Sequence, residues 1–536
     1  MPKSNLLIYI FLLALMSSCA KRGGITGGPK DTIPPVMVSS SPKNNTINFK
    51  GKEIRIDFDE YVKVKDINKQ LIISPPLKYQ PDITPMGSAS KYISIKVRDT
   101  LPENTTYSFN FGQSITDNNE GNPYSQFRFV FSTGDYIDSL SVNGKIKDAH
   151  DLKTDNFVTI MLYEANETFN DSTIYKEKPR YVTNTLDSIK LYSIQNIKAG
   201  KYHLFAVKDV GNNYLYNPKS DKIAFLGAPL TVPNDTIFLL ELFKEKIPVK
   251  TQKPFQASSN RLFLPYEGKS GAKELKASVK NAVTKEDIKT RLTAVKDKDS
   301  LQLWLPRGLK DSLRVQVTEP SGEKSYLVKL KEMKAADSLG VEAVQKGGLH
   351  FREKFQLKTG TPLDNIDLAK ITVINKDSVA VPFTHVYDDF QQQITFDFEK
   401  KENDKYIVQL LPGALTDFYG KQNDTLSYKL TTRSFNDYGN MTVRLKDVKR
   451  WPVVVELTDE KGTVYASVAS EKPELHFDLI EPNKYTLRLI YDDNKNGEWD
   501  TGDYLKKQQP EEVIYYPGAV DVRAMWDVEQ DFPVGG

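Results

Sequence analysis

The sequence predicts an all-β protein built from tandem β-sandwich domains. Apolar and polar residues alternate at Ile54, Ile56 and Phe58, which is the period-two pattern of a half-buried strand. The same period recurs in three further runs of the first 140 residues: Ile93-Ile95-Val97, Tyr107-Phe109-Phe111 and Phe127-Phe129-Phe131. Turn residues separate these short strands, as in β-sandwiches, and two stretches of the first half return in the second half in the same order.

Length and charge limit the classes of function. The chain has 536 residues, with 73 basic side chains, 70 acidic side chains and a single cysteine. At roughly 100 to 200 residues per domain, this length predicts three to five domains. The balanced charge and the absence of a basic block argue against a nucleic-acid partner. One cysteine allows no internal disulfide and no thiolate metal site, so the domains depend on packing.

Residues 1–19 predict a lipoprotein signal peptide. Lys3 precedes an unbroken apolar run, Leu6–Met16, which is shorter than the roughly 20 residues that span a bilayer. Two serines then precede Cys19, and this ending resembles the lipobox of bacterial lipoproteins. The resemblance implies lipidation of Cys19 and attachment to a membrane; an ordinary cleaved signal with an incidental cysteine is the alternative. In lipoproteins that this ending resembles, an Asp after the cysteine signals retention in the inner membrane, so Ala20 at that position implies the outer membrane. Lys21 and Arg22 stand in place of the acidic cluster that resembles a surface-export tag, which slightly favours the periplasmic face over the cell surface.

Residues 20–32 are rich in glycine and proline and predict a flexible tether. Residues 33–136 then carry an early Pro-Pro, a strand ending Phe-Asp-Glu, the turn Thr116-Asp117 before Gly121, and a closing Phe-Ser-Thr. These features resemble the bacterial Ig-like domain that is named for S-layer proteins. The resemblance implies a spacer or docking module.

The other segments follow from repeats. Residues 139–246 and 436–536 each contain a turn, an alternating strand and an Asp/Asn-rich loop, and both resemble the transthyretin-like sandwich of carboxypeptidase regulatory-type domains. Residues 341–435 carry Thr416-Asp417 before Gly420, which parallels the first domain and predicts a second Ig-like domain. Residues 247–340 predict a diverged Ig-like sandwich from strand-like runs at Arg261-Leu264, Leu301-Trp304 and Leu313-Val317.

The loop from Asp492 to Asp503 matches the spacing of a calcium loop. Oxygen ligands are expected at its first, third, fifth, ninth and twelfth positions, with glycine at the sixth, Gly497. The residues at these ligand positions are Asp492, Asn494, Asn496, Asp500 and Asp503. The predicted cofactor is therefore a structural calcium ion. Asp and Asn side chains also build metal-free turns, which is the alternative.

The equivalent loop of the second domain matches the calcium pattern less well. Asp209, Asn213 and Asp221 are its candidate ligands, but Tyr214 stands where glycine is needed and Asp221 comes one place late. A metal-free turn is the preferred interpretation of this loop.

A triplet of Asp, then Ser or Thr, then an aliphatic residue recurs along the chain. It resembles the O-glycosylation sequon of exported Bacteroidota proteins, although turns that end in Asp-Ser before a strand produce the same triplets. The predicted glycosylation sites are Thr32, Thr100, Ser139, Ser188, Thr236, Ser300, Ser312, Ser338, Ser378 and Thr425.

No catalytic motif is present in the sequence. The five histidines form no His-x-x-x-His pair, and there is no G-x-S-x-G, P-loop or G-x-G-x-x-G. We therefore expect no enzyme activity and no catalytic residue.

The order of segments, including the stretch Gly27–Pro35, resembles the Ig-like-domain lipoproteins of Bacteroidota. The resemblance implies a non-catalytic outer-membrane lipoprotein that acts as a spacer, a docking protein or an accessory subunit of an envelope protein complex. A carbohydrate-binding lipoprotein that serves glycan uptake is the alternative.

Overall fold

The computed structural model describes residues 30–186, 190–268, 271–295, 298–333 and 337–535. The predicted signal peptide with Cys19, the tether up to residue 29, and Ser188 lie outside these residues. No helix in the described part of the chain is both long and apolar enough to cross a membrane.

The described residues divide into two compact units. The first holds those up to Ser141 together with Arg180–Leu186 and Ile194–Ala199, and the second holds those of Val142–Pro179, Asp187–Ser193 and Gly200–Gly536. Both units are built from β-sheets, and the all-β fold with tandem Ig-like sandwiches is confirmed.

The first sandwich contains two sheets, in the orders β1-β2-β5-β4, with β7 also on β2, and β3-β6-β8. Its elements are β1 (Met37–Ser41), β2 (Glu53–Val64), α1 (Ile67–Gln70), β3 (Ile72–Ser74), β4 (Asp82–Thr84), β5 (Ser90–Lys96), β6 (Thr106–Asn110), β7 (Ile115–Asp117) and β8 (Arg128–Ser132). Ile54 and Ile56 of β2 share one buried cluster with Phe109 and Phe129 of the other sheet. The predicted alternation therefore places the apolar face of each strand in the core.

Asp117 fixes the turn after β7. Its carboxylate is 1% exposed and accepts backbone N–H groups of Asn119 (2.8 Å), Glu120 (2.6 Å), Gly121 (3.1 Å) and Asn122 (2.6 Å). Burial acts to raise the pKa of Asp117, but these hydrogen bonds outweigh it and lower the pKa below its usual value. The buried carboxylate of Asp117 thus takes the place of water as the acceptor for these four backbone N–H groups.

Asp417 builds the equivalent turn of the fourth sandwich. It accepts the backbone N–H groups of Tyr419 (2.9 Å) and Lys421 (2.8 Å) and the hydroxyl of Thr361 (3.0 Å). The matching Thr-Asp…Gly segments of the sequence thus form matching turns.

We expect Asp117→Ala to lower the free energy of unfolding of the first unit by about 1–3 kcal/mol, because four backbone donors lose their acceptor. Urea unfolding with Asp135→Ala, an exposed aspartate of the same unit, as the control would measure it. Equal midpoints for the two variants would contradict this role.

The next elements are β9 (Leu140–Asp148), β10 (Thr159–Glu164), α2 (Thr173–Lys176), β11 (Tyr181–Asn184), β12 (Leu191–Ile197), β13 (Gly200–Lys208), β14 (Lys222–Phe225), β15 (Leu230–Val232) and β16 (Ile237–Leu242). β11 belongs to the first unit, where the N–H of Val182 donates to Ser74 Oγ at 3.1 Å. In the second unit β13 pairs antiparallel with β10, β14 and β15, and β16 runs parallel to β9. The second sandwich is built around these pairs.

The third sandwich has sheets β17-β19-β23-β22, with β18 also on β19, and β21-β20-β24-β25. Its strands are β17 (Lys250–Thr251), β18 (Phe255–Ser258), β19 (Arg261–Glu267), β20 (Lys276–Asn281), β21 (Asp287–Ile288), β22 (Arg291–Ala294), β23 (Ser300–Trp304), β24 (Leu313–Glu319) and β25 (Gly322–Val328), and a 3-10 turn spans Ala272–Glu274. The three predicted runs of this segment are strands β19, β23 and β24. Trp304 is fully buried and its indole donates to Thr293 Oγ1 at 2.8 Å.

The fourth sandwich has sheets β26-β28-β32-β31 and β27-β35-β33-β30, with a short pair β29-β34. Its strands are β26 (Val341–Ala343), β27 (Gly347–Gly348), β28 (Phe355–Thr359), β29 (Leu363–Ile366), β30 (Ile371–Ile374), β31 (Phe383–Asp388), β32 (Gln393–Phe398), β33 (Lys405–Leu410), β34 (Leu415–Asp417) and β35 (Leu426–Thr431), with 3-10 turns at Leu368–Lys370 and Phe435–Asp437. Phe355 and Phe396 of one sheet share a buried cluster with Val373 and Val408 of the other.

The fifth sandwich repeats the pairing of the second. Its strands are β36 (Gly439–Lys446), β37 (Val453–Thr458), β38 (Val464–Ser470), β39 (Glu474–Ile480), β40 (Asn483–Tyr491), β41 (Val513–Val522) and β42 (Asp527–Pro533). β40 pairs antiparallel with β37 and β41, as β13 pairs with β10 and β14 in the second sandwich. β42 runs parallel to β36, as β16 runs parallel to β9. The Asp/Asn-rich loops occupy the same place in both, between β13 and β14 and between β40 and β41.

Candidate functional site

The predicted calcium loop connects β40 to β41 and begins at Asp492, which is 3% exposed. The two carboxylate oxygens of Asp492 accept the backbone N–H groups of Asn496 (3.0 Å) and Gly497 (2.8 Å). Gly497 has φ +77°, a left-handed conformation that favours glycine. The carboxylate of Asp492, the first ligand position of the calcium pattern, therefore closes a turn of its own loop.

Asp500 is the shared hydrogen-bond acceptor of three side chains in and beside the same loop. One of its carboxylate oxygens accepts the side-chain amides of Asn494 and Asn496, and the other accepts Lys246 Nζ at 2.7 Å. The hydrogen bond from Lys246 is the largest cause of a lowered pKa of Asp500. At Asp500, the ninth position of the calcium pattern, the ammonium of Lys246 thus provides the neighbouring positive charge.

Asp503, the twelfth position, faces Lys506. Its carboxylate accepts the backbone N–H of Lys506 at 3.0 Å and lies 2.9 Å from the ammonium of the same residue. Burial acts to raise the pKa of Asp503, but the hydrogen bonds from Lys506 outweigh it and the pKa is lowered.

The donor set contains the oxygens that calcium prefers, although each predicted carboxylate already has a partner. Among the described residues, no three His, Cys, Asp or Glu side chains are grouped closely enough to hold a metal ion. For calcium to bind, the ammonium of Lys246 and the amides of Asn494 and Asn496 have to move away from Asp500.

The weaker loop of the second sandwich is also built on aspartate acceptors. Asp209 accepts the backbone N–H groups of Asn213 (2.9 Å) and Tyr214 (2.7 Å), and Tyr214 has φ +61°. The buried Asp221 accepts the N–H groups of Val210 (3.1 Å) and Asn217 (2.8 Å). The backbone N–H groups of this turn therefore have acceptors in Asp209 and Asp221, and Asn213 contributes one of these N–H groups.

Glu511, which no sequence motif indicates, supports the calcium-like loop from the segment just before β41. Its two carboxylate oxygens accept the backbone N–H groups of Asp493 (2.8 Å) and Asp500 (2.9 Å). Burial raises the pKa of Glu511. The indole of Trp499 donates to the carbonyl of Glu511 at 3.0 Å, and its ring lies 4.5 Å from that of His150.

This loop also packs on the second sandwich, a contact that no sequence motif indicates. The backbone N–H of Tyr504 donates to Glu245 Oε1 at 2.7 Å, and the hydroxyl of Thr501 donates to the carbonyl of Lys244 at 2.8 Å. Glu245 also accepts the hydroxyl of Tyr216 at 2.5 Å. Polar groups of the loop and of the segment at Lys244 and Glu245 therefore form hydrogen bonds with one another, although they are far apart in the sequence.

Tyr504 is the apolar anchor of this contact. Its side chain is 1% exposed, and its ring centroid lies 5.4 Å from that of Phe225, 5.6 Å from that of Phe205 and 6.2 Å from that of Tyr175. Its hydroxyl is buried without a hydrogen-bond partner among the described residues. We call the segment from Asp492 to Gln509 the docking loop.

The predicted glycosylation sites lie at the surface wherever the structure describes them. Seven are exposed and two, Ser300 and Ser312, are half-buried; the exposed ones are Thr32, Thr100, Ser139, Thr236, Ser338, Ser378 and Thr425. Several of them end a turn immediately before a strand, as Ser139 does before β9 and Thr425 before β35. The exposed hydroxyl groups of these residues are accessible to a glycosylating enzyme. Their positions at the starts of strands also explain the Asp-Ser and Asp-Thr triplets without glycosylation.

One protein-family model matches the first sandwich. Residues 31–133 match the bacterial Ig-like domain family. The chain is thus a multi-domain protein with an Ig-like first domain. No curated protein matches the chain.

Several solved structures match the chain at low sequence identity and low TM-score. The S-layer protein rSbsC(31-844) is 12% identical, with 91% of this chain and 67% of that chain covered and a TM-score of 0.17. SGBP-B of the Bacteroides ovatus mixed-linkage glucan utilization locus, solved with a mixed-linkage heptasaccharide, is 11% identical, with 72% and 94% covered and a TM-score of 0.18. The I9-I11 tandem of titin is 10% identical, with 52% and 99% covered and a TM-score of 0.13.

Proposed function

We propose that the protein is a non-catalytic outer-membrane lipoprotein that acts as a spacer, docking protein or accessory subunit in an envelope assembly. The lipobox-like end of the leader at Cys19 supports membrane attachment, with the periplasmic face slightly favoured. Each β-sandwich presents clusters of loops at its two ends, which suits a docking role.

The docking loop is the observation that carries this proposal. Its hydrogen bonds to Lys244 and Glu245, with the buried ring of Tyr504, hold the fifth sandwich against the second. A chain whose distant domains are fixed to one another presents a preorganised surface, which reduces the entropy lost when a partner binds.

A pull-down from native outer membranes after mild detergent extraction tests the proposal. We expect a stoichiometric membrane-protein partner to be recovered with the tagged protein, and not with a Cys19→Ala variant that cannot be lipidated. Recovery of the tagged protein alone would contradict the accessory-subunit role.

The second candidate function is carbohydrate binding. A cavity between the fourth and fifth sandwiches favours it, since aromatic rings and charged planar side chains line the same space.

We also propose that the docking loop binds calcium as a structural ion. If it does, a chelator should lower the melting temperature of the fifth sandwich selectively, and Asp492→Ala should reproduce the loss without chelator. Differential scanning calorimetry in calcium and in chelator would measure both effects, with Asp209→Ala as the control at the second loop. Melting curves that calcium and chelator leave unchanged would show that Asp492 serves only its turn.

A further inference from the structure

A cavity of about 670 Å³ opens between the fourth and fifth sandwiches. Its volume lies within the range of about 300–1,000 Å³ that is typical of small-molecule sites. Tyr438, Tyr465 and Tyr485 provide aromatic surface, and Arg352, Glu353 and Glu481 provide charged groups. None of these residues was singled out by the sequence, because they come from four separate segments of the chain.

The aromatic part of the wall is firmly held. Tyr485 is 1% exposed and its hydroxyl donates to the carbonyl of Glu481 at 2.5 Å. Tyr465 packs against Tyr485 nearly perpendicularly, with ring centroids 5.7 Å apart, and keeps 47% of its surface exposed. Tyr465 therefore offers an aromatic face at the mouth of the cavity on a fixed support.

The polar part of the wall offers both donors and acceptors. The Arg433 guanidinium is paired with the Glu481 carboxylate and lies over the ring of Tyr438, with 4.7 Å to the centroid. The guanidinium of Arg352 has no hydrogen-bond or ion-pair partner among the described residues, while the carboxylate of Glu353 accepts the N–H of His350 at 3.2 Å. Arg352 thus offers hydrogen-bond donors that no described group uses.

The charges of the wall favour a neutral ligand. Two guanidinium groups, Arg352 and Arg433, are balanced by two carboxylates, Glu353 and Glu481. Burial lowers the pKa of His350, which leaves its imidazole neutral at pH 7. An anionic ligand would meet the two carboxylates, and a cationic one the two guanidinium groups.

We propose that this cavity binds a neutral oligosaccharide, with a sugar ring stacked on Tyr465 and its hydroxyls bonded to Arg352 and Glu353. Sugar C–H groups carry partial positive charge and suit the negative face of an aromatic ring. Neighbouring hydroxyls both donate and accept, as this wall requires, and the planar fork of a guanidinium can bind two of them together. This inference rests on the carbohydrate-binding candidate and does not need the envelope partner.

Isothermal titration of the full-length protein in detergent tests the inference. The probes are cellohexaose, mannohexaose and xylohexaose as neutral oligosaccharides, and hexagalacturonate as the acidic comparison. We expect at least one neutral probe to bind, and Tyr465→Ala and Arg352→Ala each to weaken its affinity tenfold or more. Tyr79→Ala and Arg314→Ala, exposed residues of the first and third sandwiches, are matched controls that should bind like the unaltered protein.

Three results would overturn the inference: no binding of any neutral probe, binding of hexagalacturonate alone, or neutral binding that survives the double replacement of Arg352 and Tyr465. Circular dichroism and melting temperature of each variant separate lost binding from lost folding. Since the pull-down uses no oligosaccharide, failure of this inference leaves the accessory-subunit proposal to be decided by its own test.

Discussion

Tyr504→Ala is expected to lower the free energy of unfolding of the second unit by about 3–5 kcal/mol, the usual cost of truncating a buried aromatic residue. The ring fills a space between Phe205 and Phe225, and alanine leaves a cavity there. Hydrogen exchange by mass spectrometry should show faster exchange in the docking loop and in β13 and β14, which carry the two facing phenylalanines. Unchanged exchange in these strands would show that Tyr504 does not hold the contact.

Tyr504→Phe is the matched control and has an expected result of its own. The hydroxyl of Tyr504 is buried without a hydrogen-bond partner in the part of the chain that the structure describes, and leaving such a group unsatisfied costs free energy. Removing it while keeping the ring should therefore leave the stability of the second unit equal or slightly raised. A loss as large as that of the alanine variant would mean that the hydroxyl, and not the ring, stabilises the contact.

Glu319→Ala is expected to destabilise the third sandwich by about 3 kcal/mol at pH 7. The Glu319 side chain is fully buried and accepts the N–H of Thr251 at 2.6 Å and the hydroxyl of Ser321 at 3.1 Å, with the ammonium of Lys324 at 3.0 Å. The hydroxyl of Thr251 donates to the same carboxylate. Alanine leaves these donors without an acceptor inside the sandwich, and urea unfolding followed by hydrogen exchange in β24 and β25 would measure the loss.

The same carboxylate predicts a pH dependence. Burial acts to raise the pKa of Glu319, but the hydrogen bonds from Thr251, Lys324 and Ser321 outweigh it and lower the pKa from 4.5 to about 2. A lowered pKa in the folded state means that the stabilisation is fully present above pH 4.5 and is lost as the pH falls from 4.5 through about 2.

Glu319→Gln should therefore lose less stability than the unaltered protein when the pH is lowered from 7 to 3. Glu323→Gln, an exposed neighbour on β25, is the control and should keep the original pH dependence. If both variants respond to acid as the unaltered protein does, another group causes the acid sensitivity of this sandwich.

Strands were predictable from the sequence because their signal is local. Ile54, Ile56 and Phe58 alternate within one strand, and the same alternation identified β19, β23 and β24 in the diverged third sandwich. The matching turns at Asp117 and Asp417 were also visible, since an aspartate that accepts nearby N–H groups needs only its own neighbours.

Contacts between distant segments were not predictable in the same way. Nothing near Tyr504 in the sequence indicates that its N–H meets Glu245, and nothing near Tyr465 indicates a cavity with Arg352. The loop spacing from Asp492 to Asp503 was ambiguous for a different reason: carboxylate and amide oxygens at alternate positions suit both a cation and the backbone N–H groups of a tight turn.

The contact of Tyr504 with Glu245 joins residues that are 259 positions apart. Because the chain is synthesised from its amino terminus, the second sandwich is complete long before the docking loop exists, and such high contact order slows the final step of folding. Until then the ring of Tyr504 is missing, which leaves the side chains of Phe205, Phe225 and Tyr175 uncovered. A chain that stops before residue 504 is therefore expected to aggregate, although its first four sandwiches are complete.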